Sequence, residues 1–123
     1  VQAYLAAVSY ADAEIGRLLD GLEKSPHKAN TVVVFWGDHG WHLGEKEHWQ
    51  KYTGWRIGAR VPLMIRVPKG APGLPDGTRA GSVCDLPVSL VDLFGTLTDL
   101  CGLPAKPDIH SRSLTPLLRN PSS

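Results

Sequence analysis

The run TVVVFW, residues 31–36, is β-branched or aromatic from its first residue to its last and is followed at once by Gly37. An apolar run without alternation predicts a strand covered on both faces, as in a parallel sheet. Gly37 lets the chain turn at the strand's end. In open α/β sheets ligands gather beyond the carboxyl ends of the strands, so the residues after Gly37 stand where such a fold places its chemistry. Those residues are Asp38-His39, followed by Trp41, His42, His48, Trp49 and Lys51.

The flanking segments fit the same fold class. Tyr4, Val8, Ala11, Ile15, Leu18 and Leu22 recur at spacings of three and four, which predicts an amphipathic helix over about residues 3–23. Asp12, at the margin of that stripe, is assigned to anchoring a loop. Residues 37–60 read as a long functional loop. VPLMIRV (61–67) reads as a second strand, with Pro62 near its start. After a turn-rich stretch, Asp85 is expected to cap a helix over 86–101, with Leu90, Phe94, Leu97 and Leu100 on one face. The tail is expected to be loop with one short apolar turn. The order helix, strand, functional loop, strand, helix is that of an α/β sandwich.

Composition excludes several partners. A formal net charge of +1, with basic residues scattered, gives no electrostatic case for nucleic acid or an anionic membrane. No apolar segment approaches the ~20 residues that span a bilayer. Cys84 and Cys101 read as semi-buried free thiols. The chain opens inside the first helix without a methionine, and it is expected to be a piece of a larger protein.

Asp38 and His39 supply a hard oxygen and an imidazole nitrogen, both able to reach one cation. Their types and spacing fit a metal site and a plain Asp–His hydrogen bond at a strand end equally well. Zn²⁺ needs about four ligands and Ca²⁺ six or more, so further ligands would have to come from elsewhere.

GDHGWHLGEKEHWQK, followed by ARVPLMIRVP, resembles the second metal-binding segment of the sulfatases, which belong to the alkaline phosphatase-like superfamily. The likeness is greatest to the iduronate-2-sulfatase-like group. It extends through YLAAVSYADAEIGRLLDGLE upstream and PVSLVDLFGTLTDLCGLP and SRSLTPLL downstream. The resemblance implies a mainly parallel central sheet flanked by helices, and hydrolysis of sulfate esters on a sulfated sugar or glycosaminoglycan-type glycan. Asp38 and His39 match two ligands of a Ca²⁺ or Mg²⁺ ion, and Lys51 matches a catalytic lysine that contacts the sulfate. Trp41 and His42, beside the ligands, are the expected substrate contacts. Trp49 and Trp55 are expected to pack, and Arg56 and Arg60 to pair with Glu45 or Glu47 or to read a uronate carboxylate.

The resemblance also implies a formylglycine nucleophile, made from a cysteine in a C-x-P-S-R context. Cys84 precedes DLPVS and Cys101 precedes GLPAK, so neither fits. The whole of 1–123 is therefore expected to be the C-terminal portion of a catalytic domain, partnered by the rest of that domain and inactive alone. Periplasmic, secreted or lysosomal placement is what the resemblance implies for the intact protein. Three positions depart from the family pattern: Gly37 for a frequent Ser, Gly95 for a common Pro, and Ser111 for a usual Gly. A metal-dependent phosphodiesterase or phosphonate hydrolase of the same superfamily, and a non-catalytic glycan-binding remnant, are the competing readings.

Overall fold

The computed structural model describes residues 1–122, which divide into two units. The first comprises Val1–Lys28 and Val34–Met64; the second comprises Ala29–Val33 and the chain from Ile65 onward.

In the first unit, helix α1 spans Gln2–Glu23. It ends at Lys24, whose N–H reaches the Asp20 and Leu22 carbonyls, and the Ser25 hydroxyl then accepts the His27 N–H at 3.1 Å. None of its residues is buried. The stripe that periodicity assigns to a core is largely exposed, with Ile15 and Leu22 half-buried. Asp12 is exposed too, and it anchors no loop among the described residues.

Strand β1 is Val33–Trp36, two residues shorter than the run that predicts it. Its cover is partial: Val33, Val34 and Phe35 are half-buried and Trp36 is exposed. The loop expected over 37–60 contains a small ribbon, β2 (His42–Leu43) antiparallel to β3 (Trp49–Gln50), joined by a 3-10 turn at Glu45–Glu47. A one-turn helix, α2 (Arg56–Ala59), follows. Strand β4 is Leu63–Arg66 and pairs with β1.

The Gly37 N–H donates to the Pro62 carbonyl at 3.2 Å, placing the end of β1 beside the start of β4. Strands so joined run in opposite directions. The mainly parallel central sheet expected from the unbroken apolar run is therefore not built by the described residues. They form two two-stranded sheets, and β4 alternates half-buried Leu63 and Ile65 with exposed Met64 and Arg66. A pair of strands has two edges and no interior strand, so neither strand is covered as a central one would be.

The second unit holds the hydrophobic core. Val67, Ala71, Leu74 and Leu100 are buried together, with Val32, Ile65 and Leu118 against them. Helix α3 (Leu93–Leu100) begins later than the expected residue 86. The Ser89 hydroxyl, not the Asp85 carboxylate, accepts an N–H at its entry, from Val91, where a 3-10 turn at Leu90–Asp92 leads into the helix. The buried face of α3 is Thr96 and Leu100, and Phe94 and Leu97 are exposed.

Thr96 is fully buried, donating to the Asp92 carbonyl at 2.6 Å and accepting the Leu114 N–H at 2.9 Å. The short apolar turn of the tail is helix α4 (Thr115–Arg119). Two departures from the sulfatase pattern meet in this unit. The Gly95 N–H donates to Ser111 Oγ at 2.8 Å, and that oxygen lies 2.8 Å from where a Cβ at residue 95 would stand. Cys84 and Cys101 are free, as expected, but exposed rather than semi-buried.

Candidate metal and anion site

All the expected site residues lie in the first unit, in the segment that begins where β1 stops. The Asp38 side chain is 82% exposed, and its Oδ1 accepts the His39 N–H at 3.0 Å. His39 Nδ1 lies 2.8 Å from the Gly40 carbonyl oxygen. A carbonyl can only accept, so Nδ1 carries the proton and Nε2 of the neutral ring keeps its lone pair. Asp38 Oδ2 is 3.4 Å from that Nε2.

Lys51 closes the group. Its Nζ is 2.9 Å from His39 Nε2, although twelve residues separate them in sequence, and it also lies 5.4 Å from the Tyr52 ring centroid. The pairing with Glu47 that composition alone permits is not made. Two glycines allow the return in different ways. Gly44 takes φ +115°, a left-handed value unfavourable to other residues. At Gly40 the need is space: a Cβ would run into the Ile57 carbonyl, against which Gly40 packs while its N–H bonds the Gly58 carbonyl at 2.9 Å.

Backbone conformation around Lys51 is unusual. Lys46, Glu47, Gln50 and Tyr52 all have positive φ, between 56° and 74°. Side chains hold the segment. Glu45 accepts the Leu43 N–H at 2.7 Å, and this bond, with one from its own N–H, holds its carboxyl below the usual range. His48 Nε2 donates to the Lys51 carbonyl at 3.0 Å. His42 Nε2 lies 2.7 Å from the Thr53 hydroxyl, and the two imidazoles meet edge to face with centroids 4.9 Å apart.

His42 is fully buried, so its expected contact with substrate is corrected: the ring supports the loop from beneath. Trp41 is half-buried and stacks on His39 at 6.1 Å and on Tyr4 at 6.4 Å. Trp49 and Trp55, expected to pack, are 56% and 42% exposed. Trp55 contacts both His42 and His48 and lies beneath the Lys46 ammonium, 4.5 Å from its centroid. Arg56 and Arg60 make no ion pair with Glu45 or Glu47; with Ile57 they line a shallow hollow of about 380 Å³. The bonds that His48 and Thr53 make were not legible, because they depend on the left-handed turn.

The donor chemistry of Asp38 and His39 suits a divalent cation, with oxygen and nitrogen lone pairs 3.4 Å apart. Two donors are fewer than the roughly four that Zn²⁺ or six that Ca²⁺ requires. Among the described residues no cluster of three or more His, Cys, Asp or Glu side chains is placed to hold an ion.

A sulfatase from Formosa agariphila is 39% identical over 119 residues, covering 97% of this chain and 22% of that protein. Iduronate 2-sulfatase from mouse (Mus musculus) is 38% identical over 123 residues, covering 86% of this chain and 22% of the relative. The chain thus spans about a fifth of the length of the curated relatives it matches. A solved structure described as BT4656 in complex with its substrate D-glucosamine-2-N,6-O-disulfate superposes with a TM-score of 0.84 at 36% identity, over 97% of this chain and 23% of that one. Residues 1–103 match the family model described as Sulfatase, and the chain belongs to the sulfatase family.

Proposed function

We propose that the chain is the C-terminal part of the catalytic domain of a sulfuric ester hydrolase, in which Asp38, His39 and Lys51 receive the sulfate group. The observation that carries this reading is the contact of Lys51 Nζ with His39 Nε2 at 2.9 Å, at a nitrogen 3.4 Å from the Asp38 carboxylate. A cationic donor and two cation-binding atoms are thereby concentrated where a multiply charged anion would dock.

A sulfate monoester resists hydrolysis because it is already negative and gains charge on its leaving oxygen. A fixed ammonium that donates to a sulfate oxygen lowers that barrier, since it requires no reorganisation as charge develops. Lys51 performs this role. Asp38 and His39 would hold Ca²⁺ or Mg²⁺, which when bound neutralises sulfate oxygens and polarises the group being attacked. The Nδ1–H bond to Gly40 fixes the His39 tautomer and leaves the lone pair on Nε2, the atom that accepts from Lys51 and that would face a cation. The nucleophile, a formylglycine, comes from residues outside these 123. The half-buried Trp41, stacked on His39, offers an apolar face for a sugar ring. Sulfated sugars are the favoured substrates, since one relative is named for iduronate and the solved neighbour binds a disulfated glucosamine.

The test is release of inorganic sulfate from a 6-O-sulfated glucosamine and from a 2-O-sulfated iduronate by the intact protein, with and without a divalent-cation chelator. The expected outcome is cation-dependent release from at least one of them. Hydrolysis of a phosphodiester or phosphonate without sulfate release would assign the site to the neighbouring branch of the superfamily. Glycan binding without turnover would make it a binding remnant.

A further inference from the structure

We infer that His48 is a positioning residue for Lys51, acting through the backbone and not through the substrate. The inference rests on the catalytic reading of Lys51 given above. Lys51 lies between two residues in left-handed conformations, Gln50 at φ 74° and Tyr52 at φ 71°. Neither is glycine, so each is a strained conformation that persists only where its surroundings over-determine it. The chain between them needs a restraint, and its carbonyl has one: the His48 Nε2–H at 3.0 Å.

The restraint is itself braced. His48 is half-buried, with its ring edge to face against His42 and Trp55 at 4.9 and 6.4 Å. His42, fully buried, bonds the Thr53 hydroxyl at 2.7 Å, two residues beyond Lys51. Two touching imidazoles therefore hold the turn on both sides of Lys51, one by its carbonyl and one by the hydroxyl of Thr53. His48 donates to the backbone, and among the described residues no hydrogen bond or ring contact joins it to Asp38 or His39. Its effect on turnover must pass through where Lys51 places its ammonium. Displacing such a group by about 1 Å can cost on the order of a hundredfold in rate.

The experiment uses the intact sulfatase and a double-mutant cycle. His48→Phe keeps an aromatic ring against His42 and Trp55 but has no donor; His48→Gln can present an amide N–H near the same position. His48→Phe is expected to lower kcat roughly 10–100-fold, with KM changed less than about threefold. His48→Gln should recover most of that loss. In a Lys51→Ala background His48→Phe should cost nothing further, because the residue it positions is gone. Equal losses from His48→Phe in both backgrounds, or a normal kcat in His48→Phe while Lys51→Ala is slow, would overturn the inference. Should His48→Phe fail to fold, His48→Leu takes its place in the same cycle: a loss that vanishes in the Lys51→Ala background supports the inference, and an equal loss in both backgrounds overturns it. A Lys51→Ala enzyme of normal kcat would instead overturn the catalytic reading on which the inference stands.

Discussion

The two units of this chain are held together by different physics. In the second, Val67, Ala71, Leu74 and Leu100 exclude water from one another, and α3 is tied to the tail by the buried Thr96 hydroxyl. In the first, the only fully buried large side chain is an imidazole, and α1 buries nothing. The site-bearing segment between β1 and β4 depends on side-chain-to-backbone bonds from Glu45 and His48, on aromatic edges, and on residues held at positive φ. Hydrophobic burial is non-directional and tolerates small shifts, whereas a turn held by single hydrogen bonds has one good geometry. The difference places precision in the segment that carries Asp38, His39 and Lys51, and stability elsewhere.

That contrast is sharpest for two leucines. Leu100→Ala removes a fully buried side chain from the second unit and should destabilise it by about 2–5 kcal/mol. Leu18→Ala, on a residue 73% exposed, should stay within about 0.5 kcal/mol in the same 123-residue chain. Denaturant unfolding of the two variants checks both values, and comparable losses would mean that α1 is packed in solution.

A smaller effect is expected where two departures from the family pattern meet. Gly95→Pro deletes the N–H that Ser111 Oγ accepts and introduces ring atoms close to that oxygen, while Ser111→Gly orphans the Gly95 N–H. The double variant removes donor, acceptor and clash together. A thermal-melt cycle should show the pair less destabilised than the sum of its parts, with a coupling of about 0.5–3 kcal/mol. Strict additivity would mean that the two departures are independent.

Smaller still is a pH effect in the second unit. The Ser113 hydroxyl, with help from Thr115, holds the Asp99 carboxyl below its ordinary value. A depressed folded-state value contributes stability above the unfolded pKa of about 3.9 and loses it as pH falls through the lower folded value. Asp99→Asn should therefore flatten the acid limb of the stability curve below about pH 4. The change should be small, because Asp99 is exposed. An unchanged acid limb would count against the Ser113 bond.

Much of this was legible in the sequence, and the failures share a cause. Helix periodicity located α1 to within a residue of its observed start, yet it could not say whether the stripe would be covered. The apolar run located β1 but suggested cover on both faces, which depends on neighbours absent from these residues. At α3, Asp85 and Ser89 are both capping residue types followed by apolar positions, and the turn that leads into the helix uses Ser89. Adjacency marked Asp38 and His39, and the resemblance of the whole segment marked Lys51. His48 was invisible as a partner, since positive φ at Gln50 and Tyr52 leaves no trace in residue type. His42 was misread because nearness in sequence to the ligands does not fix which face of a ribbon a side chain takes.

The central claim is that Asp38 and Lys51 serve one sulfate site by different means, and a single kinetic comparison tests it. In the intact sulfatase, kcat for sulfate release is measured for Asp38→Ala and Lys51→Ala across a Ca²⁺ titration. Lys51→Ala should be slower by roughly 10²–10³, about 2.7–4 kcal/mol of transition-state stabilisation, at every Ca²⁺ concentration. Asp38→Ala should be slow at low Ca²⁺ and partly recover in excess. Near-normal kcat and KM for Lys51→Ala at saturating Ca²⁺, or an Asp38→Ala enzyme indifferent to Ca²⁺, would contradict the account.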